Sequence, residues 1–192
     1  MMTARRTALL GSMLALALAG CSNKEGPVAA STTSGGNKST IEAQSRTALE
    51  ELYRTRPGFK ELGEHAKAIL VFPSITQAGL GIGGLYGNGT MFEGGKATEF
   101  YNIAGGTFGF QIGAQSFAQA YFFNTAEALQ TFRNVKGFQA GVGATAVAAD
   151  YGADGKISTQ SLQKPVVTAT WGQSGLMAGV TLEGAKITQT NP

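Results

Sequence analysis

Residues 68–73 read AILVFP and residues 78–87 read AGLGIGGLYG, and these two runs decide the fold. The first is continuously apolar, which is typical of a strand buried on both faces. In the second, Leu80 and Ile82 alternate with glycines, which is the period-two pattern of a strand. Glycine weakens a strand unless something requires its missing side chain. We therefore predict strands here, with a bare glycine stripe on one face that lets another element approach closely.

The chain around these runs is rich in strand and turn signals. Residues 108–113, FGFQIG, repeat the alternation of large apolar residues and glycine. Asn88-Gly89, Gly94-Gly95 and Ser174-Gly175 are turn signals between short strands. Further strands are predicted at residues 120–123, 138–149, 157–162, 166–171, 176–182 and 186–190.

Helical patterns precede and interrupt the strands. Ser39 to Glu42 resembles a capping box, and apolar residues at helical spacing follow as far as Thr55. A second, short helix is predicted to carry Phe59, Leu62 and Ala66, and a third to run from residue 124 to 133. The first helix is not strongly cationic, so packing on a core is favoured over resting on a bilayer. The predicted class is α+β: a curved or barrel-like antiparallel sheet, two N-terminal helices and one short inserted helix.

The N-terminus reads as a targeting segment. Arg5 and Arg6 precede an apolar stretch too short to span a bilayer, which predicts a signal peptide over residues 1–20. The closing Leu-Ala-Gly-Cys resembles the lipobox of bacterial lipoproteins, which implies that Cys21 becomes acylated and anchors the chain. By the same resemblance, an aspartate after the cysteine commonly signals retention at the inner membrane, so Ser22 implies the outer membrane of a Gram-negative cell envelope. The alternative is an ordinary secretory signal followed by an unmodified thiol.

Domain boundaries and charge follow from this segment. Residues 21–40 are small and polar and read as a flexible tether, which leaves residues 41–192 as the folded domain. Removing residues 1–20 takes away two arginines and lowers the formal net charge from +3 to +1. A nucleic-acid-binding domain normally carries a strongly basic patch, so no nucleic-acid partner is expected.

The usual signatures of catalysis and of cofactor sites are weak. His65 is the sole histidine, and a helix-terminal position is favoured over a general base. Gly79-x-Gly81-x-x-Gly84 matches a dinucleotide fingerprint, but the run that follows reads as strand rather than helix. Residues 150–155 lack most EF-hand ligands and read as a hairpin turn. We therefore expect no enzyme activity, no metal and no cofactor.

Several glycine-rich blocks, taken in order, resemble the SYLF domain family over about residues 45–192. The resemblance implies lipid contact, because eukaryotic SYLF domains bind phosphoinositides through basic residues and an N-terminal amphipathic helix, and some bind actin. Bacterial members are often lipoproteins. The blocks are residues 66–73, 78–87, 101–102, 108–115 and 175–184.

Two departures from the family pattern bear on a headgroup site. Lysine is common where this chain has Gln77 and Ser174, and each basic residue near an anionic surface is worth about 1 kcal/mol. Cations remain near the helical end, and they are the candidate headgroup ligands: Arg54, Arg56, Lys60 and Lys67.

These observations support a leading hypothesis and an alternative. The leading one is a membrane-anchored lipoprotein, held by acylated Cys21, whose domain contacts phospholipid headgroups or other envelope components. The alternative is a protein-interaction or assembly scaffold of the envelope, whose domain binds no lipid and whose protein partner the sequence does not name. An envelope hydrolase ranks third, because no nucleophile–base pair is visible.

Overall fold

The computed structural model describes residues 37–135, 138–140, 146–148, 157–158, 162–176 and 185–192. The predicted signal peptide, Cys21 and most of the tether lie outside these residues. So does the turn predicted at residues 150–155.

Three helices and six strands make up the described part of the chain, and the α+β class is confirmed. They are α1 (Lys38–Thr55), α2 (Gly58–His65), β1 (Ala68–Glu93), β2 (Lys96–Phe123), α3 (Ala126–Asn134), β3 (Phe138–Ala140), β4 (Ala146–Ala148), β5 (Val166–Leu176) and β6 (Ala185–Thr190).

The strands form one sheet built around β2. One side of β2 pairs with β1 along nearly its whole length, and the other side pairs with β6 near its start and with β5 near its end. The sheet order is β3-β6-β2-β5-β4, and within the described residues the sheet does not close into a barrel. All pairs are antiparallel as predicted, except that β4 and β5 are parallel. The connection at residues 149–165 is long enough for that crossover.

β1 and β2 form one long ribbon rather than several short hairpins. Gly94-Gly95 makes the predicted turn between them, and both glycines have positive φ, 54° and 77°, as a tight two-residue turn requires. The turn predicted at Asn88-Gly89 is wrong, because Asn88 pairs with Asn102 inside the ribbon. The turn predicted at Ser174-Gly175 is also wrong, since both residues pair with β2. In both cases a partner strand takes up the backbone hydrogen bonds that a turn would leave open.

The ribbon bends sharply at residues 79–83, which we call the corner. Its register shifts between Leu80 and Ile82, and the intervening Gly81 has φ of 74°. The glycine stripe predicted here does not receive another element at Gly81, where no described atom lies within 4 Å of an added Cβ. The close approach comes instead at Gly89, whose Cβ would lie 2.6 Å from the Val71 carbonyl oxygen. The two arms of β1 therefore fold onto each other.

The apolar run at the start of β1 is buried on both faces, as predicted. Ile69 and Val71 belong to a core beneath the first two helices, and Leu70 and Phe72 belong to a second core on the opposite face. The helical residues of the first core are Ala48, Leu52, Phe59 and Leu62. The second core includes Leu85 and Met91 from the far arm of β1. It also includes Ala128, Leu129 and Phe132 from α3.

α1 packs on β1, as favoured from its composition, but it begins earlier than its capping signal predicts. The N-cap is Asn37, whose side-chain oxygen accepts from the backbone N–H groups of Ser39 and Thr40. Asparagine caps a helix at least as well as serine, and here it lies two residues upstream of the predicted Ser39. The helix therefore starts at Lys38, within the stretch assigned to the tether.

An ion-pair network fastens α3 to the turn end of the ribbon. The Arg133 guanidinium donates to Glu93 Oε1 at 2.5 Å and to Glu99 Oε2 at 3.1 Å. Partial burial alone raises the pKa of Glu93, but hydrogen bonds from Arg133 and Thr98 and the charge of Arg133 hold it below its ordinary value. The end of α3 is thus fixed beside the β1–β2 turn.

Candidate functional site

A cavity of about 390 Å³ opens between α1, α2 and the β1–β2 turn. That volume is within the range of small-molecule sites. We call it the helical cavity. Its lining residues are Arg46, Leu49, Tyr53, Lys60, Gly63, Glu64, Ala66, Ile69, Phe92, Gly94 and Gly95.

One wall of the helical cavity is apolar. Ile69 and Phe92 are buried in the sheet, and Leu49 and Tyr53 lie half-buried on α1 above them. Gly63 on α2 leaves room for the tyrosine, since an added Cβ would collide with the Tyr53 hydroxyl. Burial, together with the negative charge of Glu64, raises the pKa of Tyr53 to about 12. The hydroxyl therefore keeps its proton, as a hydrogen-bond donor, further into the alkaline range than an ordinary tyrosine.

Two cations line the same cavity. The guanidinium of Arg46 lies 5.0 Å above the centre of the Phe92 ring. It also donates to Glu42 Oε1 at 2.8 Å and to the Gly95 carbonyl oxygen at 3.2 Å. These contacts hold a partly exposed guanidinium at one place on the rim. Lys60, in the first turn of α2, is exposed and supplies the second positive charge.

The four cations predicted to bind headgroups occupy different environments. Lys60 alone lines the helical cavity. Arg56 is half-buried and donates to the Thr170 carbonyl oxygen on β5 at 3.0 Å. Arg54 is exposed in the last turn of α1, and Lys67 is exposed between α2 and β1. The cavity thus brings together one predicted residue, Lys60, and Arg46, which no pattern in the sequence marks as a ligand.

A family model described as "Ysc84: Las17-binding protein actin regulator" matches residues 104–192. Residues 104–192 therefore carry a domain of this family, the SYLF domain family. The match takes in most of β2 and everything after it, so the resemblance is confirmed for the later glycine-rich blocks. The earlier blocks, on β1, lie outside the matched residues but pair with β2 over its length. The comparison with curated proteins returned no match.

One departure from the SYLF pattern lies inside the fold. Gln77 is fully buried, and its side-chain oxygen accepts from Nε2 of Gln115 at 3.3 Å. A side chain at that depth does not meet a headgroup in solution. The departure at Gln77 is therefore a change inside the sheet rather than at its surface.

The residues considered for other chemistry are not among those that line the helical cavity. His65 is the exposed last residue of α2, with Nδ1 2.8 Å from the Glu61 carbonyl oxygen. Residues 85–89, which follow the dinucleotide-like glycines, are strand. The part of the chain that the structure describes holds no group of three residues able to bind a metal. Among those residues, none of the helices has both the length and the apolar character needed to cross a bilayer.

Proposed function

We propose that this chain is a lipid-anchored envelope protein whose SYLF domain contacts anionic lipid at the helical cavity. The observation that carries the proposal is the placement of Arg46 and Lys60 beside an apolar wall in one cavity of about 390 Å³. An anionic lipid matches both features, because its charged phosphate suits the two cations and its apolar chain suits the wall beside them.

The cations suit a phosphate. A guanidinium has five N–H donors and binds phosphate through two parallel hydrogen bonds. The bonds from Arg46 to Glu42 and to Gly95 fix the orientation of the group and engage only two of those donors. Lys60 adds a mobile point charge. Glu64 offsets part of the positive charge, which favours a headgroup of low net charge and makes the contact sensitive to salt.

The apolar wall suits the first methylene groups of an acyl chain. Each buried methylene contributes about 0.8 kcal/mol, so a few of them against Leu49, Ile69 and Phe92 match the contribution of the two cations. Inorganic phosphate would lack this contribution. The cavity is thus expected to prefer an amphiphile over the free anion.

Vesicle binding tests the lipid contact. The compact unit of residues 34–192 is used, so that the acyl anchor does not dominate the measurement. Arg46→Gln and Lys60→Gln are each expected to weaken co-sedimentation with phosphatidylglycerol vesicles about fivefold, because each removes about 1 kcal/mol of attraction. Independent effects would multiply to about 25-fold in the double variant, and a smaller loss is expected because the two cations share one phosphate.

Lys186→Gln is the matched control, because it removes one exposed positive charge from β6, outside the cavity lining. It should change binding less than twofold. Equal losses of vesicle binding in Lys186→Gln and Lys60→Gln would mean that general charge attraction, and not the helical cavity, accounts for the binding. Absence of binding by the unaltered unit at low salt would reject the lipid contact itself.

Fatty-acid labelling tests the anchor. The full chain, expressed in a Gram-negative host with an alkyne fatty acid, should become labelled, and Cys21→Ser should lose the label completely because the acceptor thiol is gone. Gel fluorescence after coupling to a dye measures both. An unlabelled wild-type chain would contradict the anchor and leave the vesicle result standing.

A protein-binding scaffold is the second candidate function. It is favoured by the family description, which names a protein partner and actin regulation rather than a lipid. Crosslinking in cells followed by mass spectrometry separates the two candidates. One dominant protein adduct that persists in Arg46→Gln and Lys60→Gln variants would favour the scaffold.

A further inference from the structure

The corner at residues 79–83 exposes two large apolar side chains. Leu80 is 79% exposed and Ile82 is 70% exposed, which makes them the most exposed large hydrophobic residues in the described part of the chain. Gly81 separates them, and its positive φ makes the bend that turns both outward. Two such residues at one bend form a local apolar projection rather than scattered surface residues.

The ribbon on both sides of the corner carries no charge. Residues 68–92 and residues 100–126 contain no Asp, Glu, Lys, Arg or His. The charged residues of the ribbon lie at its other end, at Glu93, Lys96 and Glu99. A charged side chain is strongly unfavourable inside a bilayer, so a charge-free corner is the part of the ribbon that lipid accepts most readily.

The size of the projection favours lipid over protein as its partner. A stable protein interface buries about 800 Å² on each partner and needs close shape complementarity. Two side chains at a bend offer a fraction of that area. A bilayer, by contrast, accepts single apolar side chains at its interface without a complementary surface.

The corner is within reach of the membrane to which the chain is proposed to be anchored. Fifteen residues lie between Cys21 and Asn37, and the chain from one to the other spans up to about 55 Å when extended. The strand from the Gly94 turn to Gly81 is about 43 Å long, which is less than that span. The start of α1 lies near the end of β6, since Lys38 Nζ donates to Asn191 Oδ1 at 2.5 Å. That end of β6 pairs with the start of β2, close to the Gly94 turn. The tether is therefore long enough for the corner to meet the same bilayer.

We propose that the corner inserts Leu80 and Ile82 into the interfacial layer of the bilayer that holds the Cys21 anchor. The inference rests on the proposed lipid anchor but not on the helical cavity. The cavity and the corner are about ten residues apart along each arm of β1, so variants in one leave the other intact. Insertion by apolar side chains alone predicts binding that neither salt nor anionic lipid alters.

Depth-dependent quenching tests the insertion. The full acylated chain carrying Leu80→Trp is reconstituted in phosphatidylcholine vesicles with brominated acyl chains. Bromine near the headgroup region is expected to quench the new tryptophan at least twofold, in low and in high salt. The native Trp171 is only 5% exposed and gives an unquenched background. Ile82→Ser in the same chain should lower the ratio of inserted to free corner about tenfold, because it removes one of the two inserting side chains.

Val135→Trp is the matched control. Val135 is 47% exposed and directly follows α3, whose Arg133 is bonded beside the β1–β2 turn, at the other end of the ribbon. It should stay unquenched, because these phosphatidylcholine vesicles carry no anionic lipid for the helical cavity to bind, and equal quenching at Leu80→Trp and Val135→Trp would overturn the proposal. So would a chain that sediments with the vesicles while Leu80→Trp stays unquenched. A chain that does not sediment overturns the anchor and the insertion together. Quenching that persists in Arg46→Gln, Lys60→Gln variants separates the corner from the cavity.

Discussion

Gly89→Ala is expected to destabilise the domain by about 3 kcal/mol, as overpacking in a closed site does. An added Cβ would lie 2.6 Å from the Val71 carbonyl oxygen and 2.7 Å from Cδ1 of Phe72. The first neighbour is backbone, held by the pairing of β1 with β2. The second is a fully buried ring packed edge-on against Tyr121 at 6.2 Å. Neither neighbour can move away from the added methyl group, so the two arms of β1 must separate.

Gly84→Ala is the control on the same strand. Its Cβ would have a nearest neighbour at 3.6 Å, an ordinary contact, and Gly84 is exposed. We expect a change within about 0.5 kcal/mol, because alanine also reduces the freedom of the unfolded chain. Urea unfolding of both variants measures the difference. Equal destabilisation would mean that the glycines matter for strand conformation and that the arms of β1 do not meet at Gly89.

Gly89 and Gly84 show which features of the fold the glycine pattern predicts and which it does not. Alternation and composition correctly predicted strands, a close approach of the backbone and burial on both faces, which the structure shows for residues 68–72. They placed the approach at Gly79, Gly81 and Gly83, although those residues form the bend and the contact falls at Gly87 and Gly89. Which glycines are covered depends on where the ribbon folds back. That is a property of pairs of residues distant in sequence, and no local pattern contains it.

The same limit explains the candidate site. Charge near the helical end predicts both Lys60 and Arg56 as headgroup ligands. Lys60 lines the cavity, whereas the Arg56 guanidinium donates to the Thr170 carbonyl oxygen on β5. Arg46 was missed because what distinguishes it is its contact with Phe92 and with Gly95, 49 residues away. The i,i+4 spacing of Glu42 and Arg46 predicts only a surface ion pair. Only the packing of α1 beside the β1–β2 turn makes that arginine part of a cavity.

Phe59→Ala is expected to lower stability by about 4 kcal/mol and also to abolish the helical cavity. α2 has eight residues, too few to persist as an isolated helix, so tertiary packing must hold it. Its anchors are Phe59 and Leu62, each 1% exposed, and the Phe59 ring lies 5.7 Å from that of Phe122. Without the ring, α2 loosens first and carries Lys60 away from Arg46.

Phe132→Ala separates this local effect from general destabilisation. Phe132 is 3% exposed and packs against Tyr101 at 5.1 Å and Phe123 at 5.0 Å, in the core on the other face of the sheet. Its stability loss should match that of Phe59→Ala within about 1 kcal/mol. At a temperature where both variants are folded, hydrogen exchange of the α2 amides and vesicle binding should change only in Phe59→Ala. If Phe59→Ala does not fold, Phe59→Leu gives the same comparison at smaller cost. Should vesicle binding fall equally in both variants, lipid contact would depend on overall stability and not on the helical cavity that α2 completes.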